Sequence, residues 1–276
     1  MAANRRATGA IEARLPALFR RHLHTRYKYE VAARLNRRRG QVVVDIGCGR
    51  ECPFLPFVCE PDSHLVIGVD CSSHELRLNP DLGVKIVADA AAEAFPLRRA
   101  SADLVVSRSV VEHLSDNDVF FANCARVLRP GGALVHTFAC KFAPFALINQ
   151  VLPNALARRL LAWFQPQWTE ECGFPAHYNN CYFSAVRRLL ERHGFQNARF
   201  TFRFYQSIYF NFFLPLYVPM LLYDLVVWGL GARNLACAIL VTADRTAASC
   251  HGLGKGAAEL SASGSATAPE KIDSSK

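Results

Sequence analysis

The chain has 276 residues, is 51% hydrophobic and 20% charged, and contains 16 Gly and 14 Pro. Those figures fit one or two globular domains; without a glycine period or sustained heptads they exclude a collagen-like or coiled-coil rod. The net charge is +9, but residues 1–40 hold 11 Lys/Arg against 2 Asp/Glu and the rest holds 21 of each sign, so the excess belongs to an N-terminal arm.

Residues 1–10 show no clear pattern. From Ile11, the residues Leu15, Leu18, Phe19, Leu23, Tyr27, Val31 and Leu35 recur every three or four positions, which predicts one helical stripe. Pro16 marks where its stable part begins. Arg20, Arg21, Arg26, Lys28 and Arg34 fill its other faces, leaving open a solvated surface or one set against anionic lipid headgroups.

From Gln41 the pattern becomes strand, turn, helix. Short β-branched runs at 42–46, 64–70, 84–88, 102–107 and 133–138 read as buried parallel strands. A helix is expected over 119–128. Such alternation predicts a doubly wound α/β sheet. Residues 139–180 are aromatic and proline-rich, with Trp163, Trp168, His177 and Tyr178. They read as an insertion over the C-terminal sheet edge, where α/β proteins bind ligands. A helix over 184–193 ends at Gly194, a position suited to left-handed backbone. Strands at 198–206 and 235–242 form the last pair of the sheet, interrupted by 207–234. The tail, 246–276, is rich in Ala, Ser and Gly and is expected to be disordered. The domain plan is therefore a basic amphipathic helix over 1–40, one domain over 41–245, and the tail.

Residues 209–230 form an apolar run with one charge, Asp224, long enough to span a bilayer. Pro215 and Pro219 are expected to interrupt a helix there, and Asp224 would cost about 3 kcal/mol at mid-membrane. The strand that follows must also rejoin the same sheet. A lid, a dimer face and a membrane-surface insertion remain open for this segment. The ten Cys include no CxxC pair, so free thiols in a reducing cytoplasm are expected and no metal site. The absence of a long apolar stretch near the N-terminus predicts no secretory signal.

The main chemical signal is the 42–49 string VVVDIGCG. A buried strand ends in Asp45, and Gly47-Cys48-Gly49 then turns toward a helix, letting backbone N–H groups approach a ligand. Asp70 ends the second strand, where a carboxylate can accept ribose hydroxyls. Asp89 follows the third, and Arg129-Pro130-Gly131-Gly132 leads into the fifth. Taken together with Glu112-His113-Leu114, these strings resemble class I S-adenosylmethionine-dependent methyltransferases, particularly the group containing ubiquinone-biosynthesis and small-molecule O-methyltransferases. The resemblance covers roughly 25–140 well and 180–245 in outline. It implies a seven-stranded Rossmann-like sheet with the last strand antiparallel, inserted between the fifth and sixth. The aromatic insertion would follow strand five and the apolar one would separate the last two strands.

The resemblance also implies S-adenosyl-L-methionine as cofactor. Gly47 and Gly49 would flank its methionine part, Asp70 its ribose, and Asp89 with the Ala90 backbone its adenine. Asp45 would hold the turn and face the sulfonium side. Arg50 is either a partner of the cofactor carboxylate or solvated. Glu51 stands where the family often has a third glycine; an acid there disfavours a dinucleotide's pyrophosphate and so an NAD-dependent dehydrogenase. His113 is the candidate general base, needed only if the acceptor is a hydroxyl. His177, Tyr178 and Tyr205 are candidate substrate-cavity residues. The expected activity is methyl transfer to a small hydrophobic acceptor, with peripheral contact at the inner face of a membrane through 11–39 and 209–230. The alternative is a binding protein that keeps the fold without catalysis. Nucleic acid is disfavoured, because the basic charge is confined to the arm.

Overall fold

β-branched residues suit strands covered on both sides, and the five predicted parallel strands all form in the computed structural model, which describes residues 2–151 and 175–246. They are β1 (Val42–Ile46), β2 (Leu65–Asp70), β3 (Val84–Val87), β4 (Ala102–Arg108) and β5 (Leu128–Ala139). β6 (Phe195–Arg203) and β7 (Ala238–Arg245) complete a seven-stranded sheet in the order β3-β2-β1-β4-β5-β7-β6. β7 runs antiparallel to both neighbours, as the resemblance implies.

Side-chain alternation divides the strands between two cores. Val43, Leu104, Val106, Val135 and Leu240 face α2 (Leu23–Leu35), which buries Leu23, Tyr27, Val31 and Leu35. Val44, Val105, Leu134, Ile239 and Val241 face the other way. Their cluster includes Phe120, Phe121 and Cys124 of α4 (Asn117–Val127) and Val186 and Leu190 of α6 (Phe183–Arg192). Asp116 caps α4, its carboxylate accepting from the Asp118 and Val119 amides at 2.8 and 3.3 Å. The glycine pair before the fifth strand serves a bulge inside β5: Gly131 has φ +78, and a Cβ on Gly132 would lie 3.0 Å from two carbonyl oxygens. Asp103 secures this corner by accepting from the Val42 amide and from Arg129.

Two expectations change at the N-terminus. The stripe from Ile11 to Leu35 is two helices, α1 (Ala2–Glu12) and α2, and α1 starts within the stretch that has no clear pattern. Pro16 lacks an N–H and its ring crowds the carbonyl four residues back, so the chain turns there. Phe19, only 2% exposed, drops between the rings of Tyr205 and Trp228. The apolar run 207–234 forms a helical turn (Ser207–Phe210) and then α7 (Leu214–Gly229). Pro215 lies in its first turn, where an N–H has no intrahelical partner. Pro219 sits inside without ending the helix, against expectation. α1 lies alongside, its Asn4 and Thr8 side chains donating to the Phe212 and Asn211 carbonyls. Among the described residues no helix is long and apolar enough to cross a membrane. A short helix, α5 (Pro144–Val151), follows β5, and α3 (Ser73–Leu78) follows β2. Trp163, Trp168 and residues 247–276 of the tail lie outside the described residues.

Candidate functional site

The parallel strands end in register. Ile46 pairs with Val69 and with Ser107, and Asp70 pairs with Val87, so the turns after β1 to β4 share one sheet edge. Gly47 takes φ +65 and donates its N–H to the Val69 carbonyl at 2.7 Å. A side chain cannot fit there: a Cβ would lie 2.2 Å from Cγ2 of Val110. Gly49 takes φ +54, and a Cβ on it would meet nothing within 4 Å, so the turn is open on that side.

Asp70 joins the turns. Its two carboxylate oxygens accept from the Gly49 amide at 3.1 Å and the Ser72 amide at 2.8 Å, and its carbonyl accepts from the Ala88 amide at 3.1 Å. The Cys71 thiol also bonds Asp70, weakly, so of about four acceptor positions on the carboxylate one stays free for a ligand and a second opens when the thiol turns away. Asp89, next along the edge, is exposed and accepts from the Ala91 amide at 2.8 Å. Ala90 is buried, its carbonyl held by Asn123 at 3.1 Å. Two supports were not legible beforehand. Asn79, fully buried, donates to the Gly49 carbonyl at 3.0 Å, and Asp81 accepts from the Cys52 amide at 2.8 Å. Nothing in their local sequence marks them. Arg50 pairs with Glu75 at 2.8 and 3.1 Å, and the largely exposed Glu51 lies 3.8 Å from Arg108.

Asp45 is buried beneath the turn. Burial raises its carboxyl to about 7, against the opposing influence of a Cys52 hydrogen bond and of Arg108. Tyr27, whose buried hydroxyl lacks a hydrogen-bond partner among the described residues, faces it. Because the folded pKa exceeds the ordinary value of 3.8, the unfolded chain releases this proton first as pH rises. Wild-type stability contributed by Asp45 is therefore present below pH ~4 and lost by pH ~7. Asp45→Asn should remove that slope. Its stability relative to wild type should rise by up to about 4 kcal/mol between pH 4 and pH 8, measured by urea unfolding; a pH-independent difference contradicts the assignment.

After β4, His113 ends a helical turn (Val111–His113). Its Nδ1 lies 3.0 Å from the Pro175 carbonyl. A carbonyl only accepts, so Nδ1 carries a proton and Nε2 is the nitrogen free to act as a base. Glu112 lies buried beside it. Its Oε1 accepts from the Ala139 amide at 3.2 Å, and its carbonyl accepts from the His177 and Tyr178 amides, both at 2.9 Å. Burial raises its carboxyl pKa. Glu112 thereby fixes residues 175–178 against the end of β5, a role that the sequence string did not reveal. His177 is exposed, and Tyr178 is buried with φ +49. Tyr205 stands apart: it is 1% exposed, packs on Phe19, and its hydroxyl meets that of Tyr217 at 3.3 Å. Among the described residues no three His, Cys, Asp or Glu side chains gather as a metal-ligand set.

The arrangement gathers an open glycine turn and the Asp70 and Asp89 carboxylates at one sheet edge, with an imidazole on the adjoining loop. Residues 44–136 match the family model described as a methyltransferase domain. A ubiquinone biosynthesis O-methyltransferase of Chelativorans sp. (strain BNC1) is 36% identical over 103 residues, covering 34% of this chain and 39% of that protein. The protein of the same name from Sinorhizobium medicae is 34% identical over 145 residues, covering 48% and 52%. The chain thus spans about two fifths to half the length of these curated relatives. Among solved structures, the [4+2]-cyclase SpnF is 19% identical with a TM-score of 0.50, covering 80% of this chain and 81% of that one; at that identity the likeness shows the fold alone. The sheet order, the glycine turn and the match of residues 44–136 to a methyltransferase domain together support a class I S-adenosylmethionine-dependent methyltransferase family for this chain.

Proposed function

We propose that this protein binds S-adenosyl-L-methionine and transfers its methyl group to a small hydrophobic acceptor at a membrane surface. The reading is carried by the convergence of Gly49, Asp70 and Asp89 on one sheet edge, linked by the Gly49 amide on the Asp70 carboxylate. The residues fit the cofactor: Asp70 keeps acceptor positions for ribose hydroxyls, Asp89 and Ala90 would hold the adenine, and the open turn at Gly49 leaves room for the methionine part. When bound, the cofactor supplies a methyl group already activated on a sulfonium.

What the chain must add is alignment and exclusion of water. His113 would take the proton of a hydroxyl acceptor at Nε2, its ring held by the Pro175 carbonyl. The names of the curated relatives support oxygen as the methylated atom. His113→Ala should lower turnover about 100-fold or more while S-adenosylhomocysteine affinity stays within two-fold. Transfer of labelled methyl from the cofactor into a lipid and metabolite extract measures the first and calorimetry the second; wild-type turnover would leave His113 structural. Tight S-adenosylhomocysteine binding with no transfer into any extract would favour the non-catalytic alternative.

The membrane part rests on α7. Leu222, Val226 and Leu230, spaced four apart on one side of the helix and the residue beyond it, are 59%, 58% and 77% exposed. Exposed Arg5 and Arg6 lie on α1 alongside. An exposed apolar strip on a helix packed near a basic one suits the interface of an anionic bilayer. Leu222→Glu with Val226→Glu should cut pelleting with phosphatidylglycerol vesicles several-fold; equal pelleting would remove the membrane from the proposal.

A further inference from the structure

β4 and β6 point the same way, although two strands lie between them. Arg108, the last residue of β4, pairs with Thr137 of β5, and Arg203, the last of β6, is linked through Ala238 to Ala139 of β5. Both arginines therefore end at the ligand-bearing edge, with backbones about 16 Å apart across three strand spacings and a two-residue offset. The first turn of α2 bridges the interval. His24 there faces Arg108, Arg203, His22 and Lys28, and His22 faces Arg203 and Arg20. His24 is exposed; nearby protein, followed by the two arginine charges, lowers its pKa to about 4.

The opposing charge is sparse. Arg203 and Arg108 are both half-buried. Arg203 donates from Nε to the Tyr205 carbonyl at 3.1 Å and lies over the Tyr205 ring, with no carboxylate in ion-pair contact among the described residues. Arg108 has only Glu51, at 3.8 Å with a 64% exposed side chain, a screened pair of little strength. Asp45 faces Arg108, but burial holds its carboxyl partly protonated near neutral pH. Glu12 of α1 faces the group from the His22 side. Partly desolvated cations facing few anions at the mouth of a ligand site attract an anionic partner.

We infer that Arg108 and Arg203, with His24 between them, form a seat for a carboxylate or phosphate carried by the methyl acceptor. The inference rests on the methyl-transfer reading and sharpens it: the acceptor joins an apolar body to one anionic group. The residues proposed to hold the nucleoside follow β1, β2 and β3, whereas the seat spans β4 to β6, starting on the strand that leads to His113.

The test uses octanoate, octyl phosphate and octanol as probes of equal chain length, with calorimetry on the protein saturated with S-adenosylhomocysteine and on the free protein. Octanoate or octyl phosphate should bind at least ten-fold more tightly than octanol. Arg203→Gln should remove that advantage with S-adenosylhomocysteine affinity within two-fold, and Arg203→Lys should retain part of it. Equal binding of the three probes overturns the seat. So does a ten-fold loss of S-adenosylhomocysteine affinity in Arg203→Gln, which would give the arginines to the cofactor's own carboxylate. Failure of S-adenosylhomocysteine to bind the wild type would sink the methyl-transfer reading instead, and the probe comparison on the free protein would still judge the seat.

Discussion

Asp70→Ala is expected to lower the affinity for S-adenosylhomocysteine by at least about 100-fold. Two hydrogen bonds from ribose hydroxyls to a charged group contribute about 1.5–3 kcal/mol each, and every 1.4 kcal/mol is ten-fold. The substitution also frees the Gly49 and Ser72 amides that the carboxylate holds at 3.1 and 2.8 Å, so the turn loses its anchor. Asp70→Asn should fall between, because its single carbonyl oxygen can serve either the turn or the ribose. Calorimetric titration measures the affinity, and thermal unfolding shows whether the variant remains folded. Unchanged affinity in a folded Asp70→Ala would remove the ribose assignment and weaken the cofactor reading.

Asp224→Ala should be the most damaging single change to stability, costing about 3–5 kcal/mol. Asp224 is fully buried on α7, and its Oδ2 accepts from the Gln206 and Ser207 amides at 2.9 and 2.7 Å. Those amides lie where the chain leaves β6 for the apolar segment. Alanine leaves both without acceptors, at about 1–3 kcal/mol each. Burial raises the carboxyl pKa, with the backbone bonds opposing, so the neutral Asp224→Asn should be much milder, because one oxygen still serves the amides. Urea unfolding decides; equal losses in the two variants would mean that packing, not the paired amides, explains the residue.

Asp224 also shows why a charge within an apolar run is ambiguous in sequence. By itself it signals a penalty for membrane insertion. In the fold it is an anchor that folds the apolar segment back onto Tyr205 and Phe19. Tyr205 has the same lesson: aromatic character beside a predicted cavity does not say whether a ring faces ligand or core, and here it stacks within the α1–α7 cluster.

Read without coordinates, the chain already specifies its seven strands and the turn between β1 and the following helix. A parallel strand covered on both faces requires a continuous β-branched run, and a turn with φ near +60 at two positions favours glycine at both; these requirements are local and visible at 42–49. Which surfaces meet is decided only in three dimensions. Periodicity marks an apolar face without naming its partner, so the break at Pro16, the docking of α1 on α7, and the reach of Asn79 to the Gly49 carbonyl depend on contacts between residues far apart in the chain. The same holds for the site: strand ends in register bring Asp70 to Gly49 and set Arg108 and Arg203 at one edge, because hydrogen-bonded pairing, not proximity in sequence, fixes their places.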